Sequence, residues 1–218
     1  MMLSKKSQSS AFKKQSLIAY SNPNSLISDQ FRTIRTNIQF LMKEKKNYLL
    51  LITSAEQGTG KSMIAANLAT SIAQKQRVLL IDANLRSPFI HTIFKLSNKV
   101  GLTDVLERTA DLVEAIYQPA IGQLEILTSG KPSYNPAELL GSDTMIRLMQ
   151  IIVNRYDVVI IDSPSVLDFT ETRLMANRCH GVVLVLKQGK IKPQQLIEAK
   201  NILDLAHAKL VGTIINEK

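Results

Sequence analysis

Lys61 and Ser62 close the run Ala55-Glu-Gln-Gly-Thr-Gly-Lys-Ser62. A lysine and a hydroxyl directly behind closely spaced glycines is what a chain needs to wrap its own amides around phosphate oxygens. Gly58 and Gly60 let the backbone turn so that successive N–H groups point inward, and the helix that follows adds the positive end of its dipole. Lys61 can then bridge the outer phosphates of a nucleoside triphosphate, and the Ser62 hydroxyl can hold Mg²⁺. The pattern is a P-loop of the form Ala/Gly-x4-Gly-Lys-Ser. Its cradle comprises Gln57, Gly58, Thr59, Gly60, Lys61, Ser62 and Met63. The competing reading is an ordinary strand-to-helix turn that happens to contain glycine. Context argues against it: the apolar run Tyr48–Ile52 leads in as a buried strand. Met63–Ala73 leads out as a helix, with Ala65, Leu68, Ala69 and Ile72 on one stripe.

Two further apolar runs end in aspartate, Val78-Leu-Leu-Ile-Asp82-Ala-Asn84-Leu-Arg86 and Val158-Val-Ile-Ile-Asp162-Ser-Pro164. A carboxylate at the carboxyl end of a parallel strand beside a P-loop is placed to bind Mg²⁺ directly or through water. Asp162 is read as the Walker B carboxylate. Asp82 is the second metal ligand or the acceptor of a hydroxyl proton. Either aspartate alone could instead be a helix N-cap. Arg86 could meet phosphate oxygens or a neighbouring subunit, or form a surface ion pair. There is no Asn-Lys-x-Asp motif, so a dedicated guanine site is not indicated.

The elements that must position these residues are legible in the same runs. Strand-like segments at Tyr48–Thr53, Val78–Asp82, Leu124–Leu127, Val158–Asp162, Val182–Leu186 and Leu210–Ile215 are mostly continuously apolar, as in parallel strands covered on both faces. Helical segments are predicted at Asp29–Met42, Lys61–Gln74, Leu102–Arg108, Asp143–Asn154, Glu171–Asn177 and Pro193–His207. The alternation gives an α/β fold of the P-loop NTPase type, a mostly parallel, doubly wound sheet flanked by helices. Its nucleotide site belongs at the carboxyl ends of the strands.

The 218 residues are 45% hydrophobic, enough for one α/β domain with a sizeable core. Cys179 is the single cysteine, which excludes an internal disulfide. No apolar run reaches the ~20 residues needed to cross a bilayer, and the expectation is a soluble, intracellular chain. His91, His180 and His207 have no metal-ligand spacing. The formal net charge is +9, with Lys5, Lys6, Lys13 and Lys14 in a polar segment, residues 1–25, expected to be mobile apart from the apolar patch Leu17–Tyr20. That segment reads as a solvated tail, or as a contact with an anionic membrane surface.

The same residues carry a resemblance. Ala55–Ser62, Leu80–Pro88, Ile160–Pro164, Gly101-Leu-Thr-Asp-Val-Leu106, Leu127-Thr-Ser-Gly130 and Asn135-Pro-Ala-Glu-Leu-Leu140 together resemble the bacterial tyrosine kinases of capsule and exopolysaccharide synthesis, from about residue 20 onward. The resemblance implies an ATP- and Mg²⁺-dependent protein-tyrosine kinase domain over residues 26–218, with Lys61, Asp82, Asn84, Arg86 and Asp162 as catalytic positions. It implies Asn216, after the last strand, as an adenine contact. Asp29, Arg32 and Arg35, on a helix at about 28–42, resemble the family's Glu-x2-Arg-x2-Arg helix, through which subunits assemble into a ring. It also implies a transmembrane polysaccharide co-polymerase adaptor as partner, tyrosine-bearing protein substrates, no nucleic acid, and a cytoplasmic location peripheral to the inner face of the membrane. Asn84 departs from the family's Asp-x-Asp-x-Arg by replacing the second aspartate. Tyr20, Tyr48, Tyr117, Tyr134 and Tyr156 are scattered, so phosphorylation of a tyrosine-rich tail is not expected in this sequence. A catalytically weak ATP-binding regulator of the same system is the alternative. A partitioning or division-site ATPase of the ParA/MinD type is disfavoured because Glu56 stands where those proteins carry a second lysine.

Overall fold

Residues 17–190 and 192–217 are described by a computed structural model. The chain begins with α1 (Ile18–Ser21), α2 (Leu26–Leu41), β1 (Tyr48–Ser54), α3 (Lys61–Ile72) and β2 (Val78–Asp82). Short elements follow: α4 (Ile90–Phe94), α5 (Leu102–Leu106), α6 (Leu112–Ala115), β3 (Ile116–Tyr117) and β4 (Leu124–Leu127). The remainder is α7 (Pro136–Gly141), α8 (Asp143–Arg155), β5 (Val158–Asp162), α9 (Thr170–Arg178), β6 (Gly181–Lys187), α10 (Pro193–Leu205) and β7 (Leu210–Asn216).

The strands form one seven-stranded sheet in the order β3-β4-β2-β5-β1-β6-β7. All neighbours run parallel except β3, which pairs antiparallel with β4. β5 enters the sheet late and inserts between β1 and β2. The carboxyl ends of three strands are thereby made consecutive, and those are the ends that carry the P-loop, Asp162 and Asp82.

Side chains alternate between two cores because strand residues point to opposite faces. Leu49, Leu51, Leu79, Ile81, Val159 and Ile161 pack with α8 and α10, through Met145, Leu148, Ile152 and Leu203. Leu50, Ile52, Val78, Leu80, Val158 and Ile160 pack on the other face against α2, α3 and α4. Burial on both sides explains why these strands read as unbroken apolar runs. Truncating one of them, as in Leu80→Ala, costs about 2–5 kcal/mol for lost transfer energy and the cavity left behind.

The helices show their causes locally. Ser25 caps α2 by accepting from the Ser28 N–H at 3.2 Å, and Phe31 and Ile38 supply its buried face. Ser142 caps α8 through the Met145 N–H at 3.3 Å. Pro193 occupies the first turn of α10, where its missing N–H is not needed. α3 is buried nearly all round, and Ala65, Ala66 and Ala69 let it lie close against the sheet.

Several elements were not anticipated: α1, α4, α6, α7 and β3 are each six residues or shorter, too brief for a periodicity to register. Leu17 and Ala19 pack with the α3 face of the core, and the Ala19 N–H donates to Asn67 Oδ1 at 3.0 Å. The apolar patch Leu17–Tyr20, excepted from the mobile segment, is attached to the domain, and residues 21–25, expected within that segment, are held too, with Ser25 capping α2 and the Asn22 carbonyl accepting from the Ser28 hydroxyl. Lys5, Lys6, Lys13 and Lys14 lie outside the described residues.

The segments Gly101–Leu106 and Leu127–Gly130 prove to be one joint. The Leu102 and Thr103 N–H groups donate to the Thr128 and Ser129 carbonyls at 2.8 and 2.9 Å. The buried Asp104 carboxylate accepts from the Gly101 N–H at 2.9 Å and pairs with Lys131 Nζ at 3.2 Å. Among the described residues no helix is long and apolar enough to cross a membrane.

Candidate nucleotide site

The loop between β1 and α3 owes its shape to two glycines in left-handed conformation, Gly58 at φ 72° and Gly60 at φ 84°. Any other L-residue would be strained at both. Gly60 precedes α3 and offers no side-chain cap to its first turn, so the amides there remain available to an anion. Thr59 Oγ1 is buried without a hydrogen-bond partner. Lys61 and Ser62 begin the helix and are themselves buried. Gln57 is exposed at the loop's outer edge, and Met63 packs partly into the α3 core.

Asp162 ends β5 beside this loop. In register it pairs with Ile52 of β1 on one side and with Asp82 of β2 on the other. Both aspartates are fully buried. Neither oxygen of Asp162 completes a hydrogen bond of ordinary geometry. Burial pushes the Asp162 carboxyl well above the usual carboxylate range, while the neighbouring Ser62 hydroxyl and Lys61 ammonium oppose that rise. Asp82 is better supported. Its Oδ2 accepts from the Phe89 and Ile90 N–H groups, each at 3.0 Å, and its Oδ1 accepts from the Asn84 N–H at 3.2 Å. Its carboxyl is nevertheless raised, first by burial and then by the charge of Asp162.

The remaining predicted residues fall in three places. Asn216, at the end of β7, donates through Nδ2 to the Thr59 carbonyl at 2.9 Å. A Cβ at position 60 would lie 2.4 Å from that nitrogen, so β7 braces the P-loop directly. Asn84 turns into its own loop, where Nδ2 donates to the Ser87 carbonyl at 2.9 Å and Oδ1 accepts from the Ser87 N–H at 3.3 Å. Arg86 forms an ion pair, Nε to Glu171 Oε1 at 2.6 Å. Of its three sequence readings, the ion pair is the one seen, but with a buried acid rather than on the surface. Glu171 was not singled out by sequence. An acidic residue in a first helical turn is unremarkable there, and nothing local links it to position 86.

Asp29 and Arg32 pair along the exposed face of α2, and Arg35 Nη1 donates to the Ser71 carbonyl at 2.7 Å. Among the described residues, no three His, Cys, Asp or Glu side chains converge to hold a metal by themselves. A divalent ion here would be shared between Ser62, one or two carboxylates and the phosphates, as Mg²⁺ in nucleotide sites is.

With this geometry in place, similarity becomes specific. Residues 50–216 match the family described as the CobQ/CobB/MinD/ParA nucleotide binding domain, CbiA. The chain is 43% identical to the tyrosine-protein kinase YwqD of Bacillus subtilis (strain 168), over 94% of this chain and 87% of that protein. The chimerical protein CapA2B2 superposes with a TM-score of 0.89 at 35% identity, covering 93% of this chain and 90% of that one. The kinase domain of the Escherichia coli tyrosine kinase ETK gives 0.88 at 32% identity, covering 92% and 79%. The chain belongs to the bacterial tyrosine-kinase family of capsule and exopolysaccharide systems. Its domain is a nucleotide-binding P-loop domain, and the fold expected from sequence is the one found. The Asn84 side-chain amide is spent on its own loop, bonded twice to Ser87, rather than turned toward Asp82.

Proposed function

We propose that this protein is an ATP-dependent protein-tyrosine kinase that regulates capsular or exopolysaccharide polymerisation and export together with a transmembrane adaptor. The observation that carries the reading is the register pairing of Asp82 with Asp162 at the lip of the P-loop. It sets Asp162 beside Lys61 and Ser62, with Asp82 on the neighbouring strand. A Mg²⁺ ion fits the residues present, because the buried, unpartnered oxygens of Asp162 and the adjacent Ser62 hydroxyl form a donor set of the kind it takes. When bound, the ion would neutralise phosphate charge, held by Ser62 and Asp162.

The chain's own residues do the rest. The P-loop amides and Lys61 hold the triphosphate, and Asn216 fixes the loop against β7. Asp82, oriented by three backbone N–H donors, takes the proton of an incoming tyrosine hydroxyl as that oxygen bonds to the γ-phosphorus, while the bridging bond to the β-phosphate breaks and ADP leaves. Catalysis is then mainly positioning and charge complementarity. The chain works in the cytoplasm at the inner face of the membrane through its adaptor. It self-associates through the α2 face bearing Asp29, Arg32 and Arg35, whose internal bonds must then be exchanged for bonds across the interface.

One observation favours a second reading, a weakly catalytic ATP-binding regulator: Asn84 supplies an amide where the family has a carboxylate, and its side chain points into the loop. A single assay separates the two. Purified protein is incubated with Mg²⁺–ATP, a cytoplasmic adaptor fragment and a tyrosine-containing polymer. Phosphotyrosine supports the kinase. Nucleotide binding without phosphotyrosine or phosphate release supports the regulator, and phosphate release without phosphotyrosine indicates an ATPase instead.

A further inference from the structure

Glu171 lies in the first turn of α9 with 1% of its side chain exposed, while Arg86, its partner at 2.6 Å, keeps 42% exposed. The guanidinium carbon of Arg86 stands 4.8 Å from the centroid of the Phe169 ring. The contact with Glu171 is made through Nε, the side-on nitrogen. Among the described residues, neither Nη of Arg86 makes a hydrogen bond. The loop that carries Arg86 is tied by both bonds between Asn84 and Ser87. Arg86 follows the carboxyl end of β2, and Phe169 and Glu171 follow the carboxyl end of β5. The assembly therefore sits at the same end of the sheet as Asp82 and Asp162.

A buried carboxylate needs a cation. If neutralising Glu171 were the whole purpose, a lysine would serve, or an arginine bound through its fork. Attachment through Nε with a ring beneath the guanidinium does something a lysine cannot. It fixes the plane of the group and leaves two parallel N–H donors open for a second oxyanion. We propose that Glu171 is a positioning residue which, with Phe169, holds Arg86 so that its outer nitrogens bind an oxyanion at the edge of the nucleotide site. The proposal rests on the kinase reading only for the source of that oxyanion. It is either the terminal phosphate of the bound nucleotide or a carboxylate flanking the incoming tyrosine, and both offer the same paired oxygens.

The test uses the full chain and equilibrium binding, so it does not depend on phosphotyrosine being formed. Affinities for Mg²⁺–ATPγS and Mg²⁺–ADP are read by displacement of a fluorescent ADP analogue, and affinity for a random Glu–Tyr copolymer by fluorescence anisotropy. Arg86→Lys keeps the charge opposite Glu171 but removes the fork. It should weaken either ATPγS or the copolymer about tenfold while leaving ADP unchanged. A loss confined to ATPγS assigns the oxyanion to the phosphate, and a loss confined to the copolymer assigns it to the acidic flank. Glu171→Gln should weaken the same ligand by roughly threefold or more, and the double variant should be no worse than Arg86→Lys alone, because one residue acts through the other. Should Arg86→Lys prove too unstable to measure, Glu171→Gln decides by itself. Wild-type affinity for both ATPγS and the copolymer in a folded variant overturns the proposal and leaves Arg86 as a neutralising partner only. Kinase assays that detect no phosphotyrosine, alongside a binding loss in Arg86→Lys, would remove the kinase reading and keep this one.

Discussion

Asp82 and Asp162 face one another in register across β2 and β5, both fully buried and both with carboxyls raised above the usual range. Two such groups cannot both ionise cheaply, so they titrate as a pair rather than as independent acids. Three backbone N–H groups favour the charged form of Asp82, whereas Asp162 has no backbone donor of its own. Asp162 thus keeps both oxygens without an ordinary hydrogen bond, whereas Asp82 is held in one orientation by its three backbone donors.

The pair makes the nucleotide-free protein sensitive to alkali. A folded carboxyl value above the unfolded value of about 4 means that the native state binds the proton more tightly. The stability it confers is present at low pH and is lost as pH rises from about 4 through the raised folded value. Asp162→Asn should flatten this slope and stabilise the nucleotide-free protein at about pH 8 by on the order of 2 kcal/mol. Melting curves of both proteins across that range check it, and their difference isolates the pair from His180. Burial lowers the His180 value, so its contribution runs the other way. An Asp162→Asn variant that is less stable than wild type at alkaline pH would contradict the account.

Lys61→Met should preserve the fold, since the aliphatic stem still fills the buried start of α3, but turnover should fall by roughly 10²-fold or more. Ser62→Ala should instead raise the Mg²⁺ concentration needed for half-maximal nucleotide binding by about tenfold. Titration of Mg²⁺ against a fluorescent nucleotide separates the two effects. Equal Mg²⁺ requirements in wild type and Ser62→Ala would remove Ser62 from the metal site.

The P-loop and its two aspartates were legible because each is a short local pattern tied to a continuous apolar strand, and burial on both faces leaves that pattern uninterrupted. What escaped was set by distant partners. α4 is five residues long, yet its Ile90 N–H orients Asp82. Glu171 joins Arg86 between the segments that follow the adjacent strands β5 and β2, and no periodicity connects the two positions. Asn84 was expected among the catalytic positions because the resemblance aligns it with an aspartate of Asp-x-Asp-x-Arg. The turn at Ser87 reverses the chain and captures both ends of the amide. The α2 residues Arg32 and Arg35 matched an assembly pattern by spacing, but spacing could not reveal that Arg35 caps the Ser71 carbonyl.

Gly101 and Gly130 show why the two connecting segments look as they do. A Cβ at position 101 would lie 2.3 Å from both the Thr128 carbonyl oxygen and the Gly130 nitrogen. Both are backbone atoms that cannot rotate away. Gly101→Ala should therefore force the α5 entrance off β4, weaken the Leu102–Thr128 hydrogen bond and cost about 1–3 kcal/mol. Denaturant unfolding measures it. Because β2 and β5 stand between β4 and the P-loop strand β1, nucleotide affinity of the remaining folded protein should stay near that of wild type. A loss of affinity without a loss of stability would place this joint in the site instead.

Asn84→Asp places a carboxylate on the loop after β2 and is the most informative single change. The substitution removes the Nδ2–H donor and sets an oxygen against the Ser87 carbonyl, while adding a third acid near Asp82 and Asp162. Without nucleotide the variant should lose about 1–2 kcal/mol, from the lost hydrogen bond and from like-charge repulsion. Asn84→Ala should show a similar loss from the first cause alone. Mg²⁺–ATP should narrow the deficit of the aspartate variant, because a divalent cation offsets added negative charge, and should leave the alanine deficit unchanged. Thermal shifts with and without Mg²⁺–ATP distinguish these outcomes. A marked rise in phosphotyrosine yield from Asn84→Asp would mean that the native amide holds the enzyme back, which is the regulator reading. An unchanged or lower yield would mean that the clamp at Ser87 matters more to phosphoryl transfer than the missing charge.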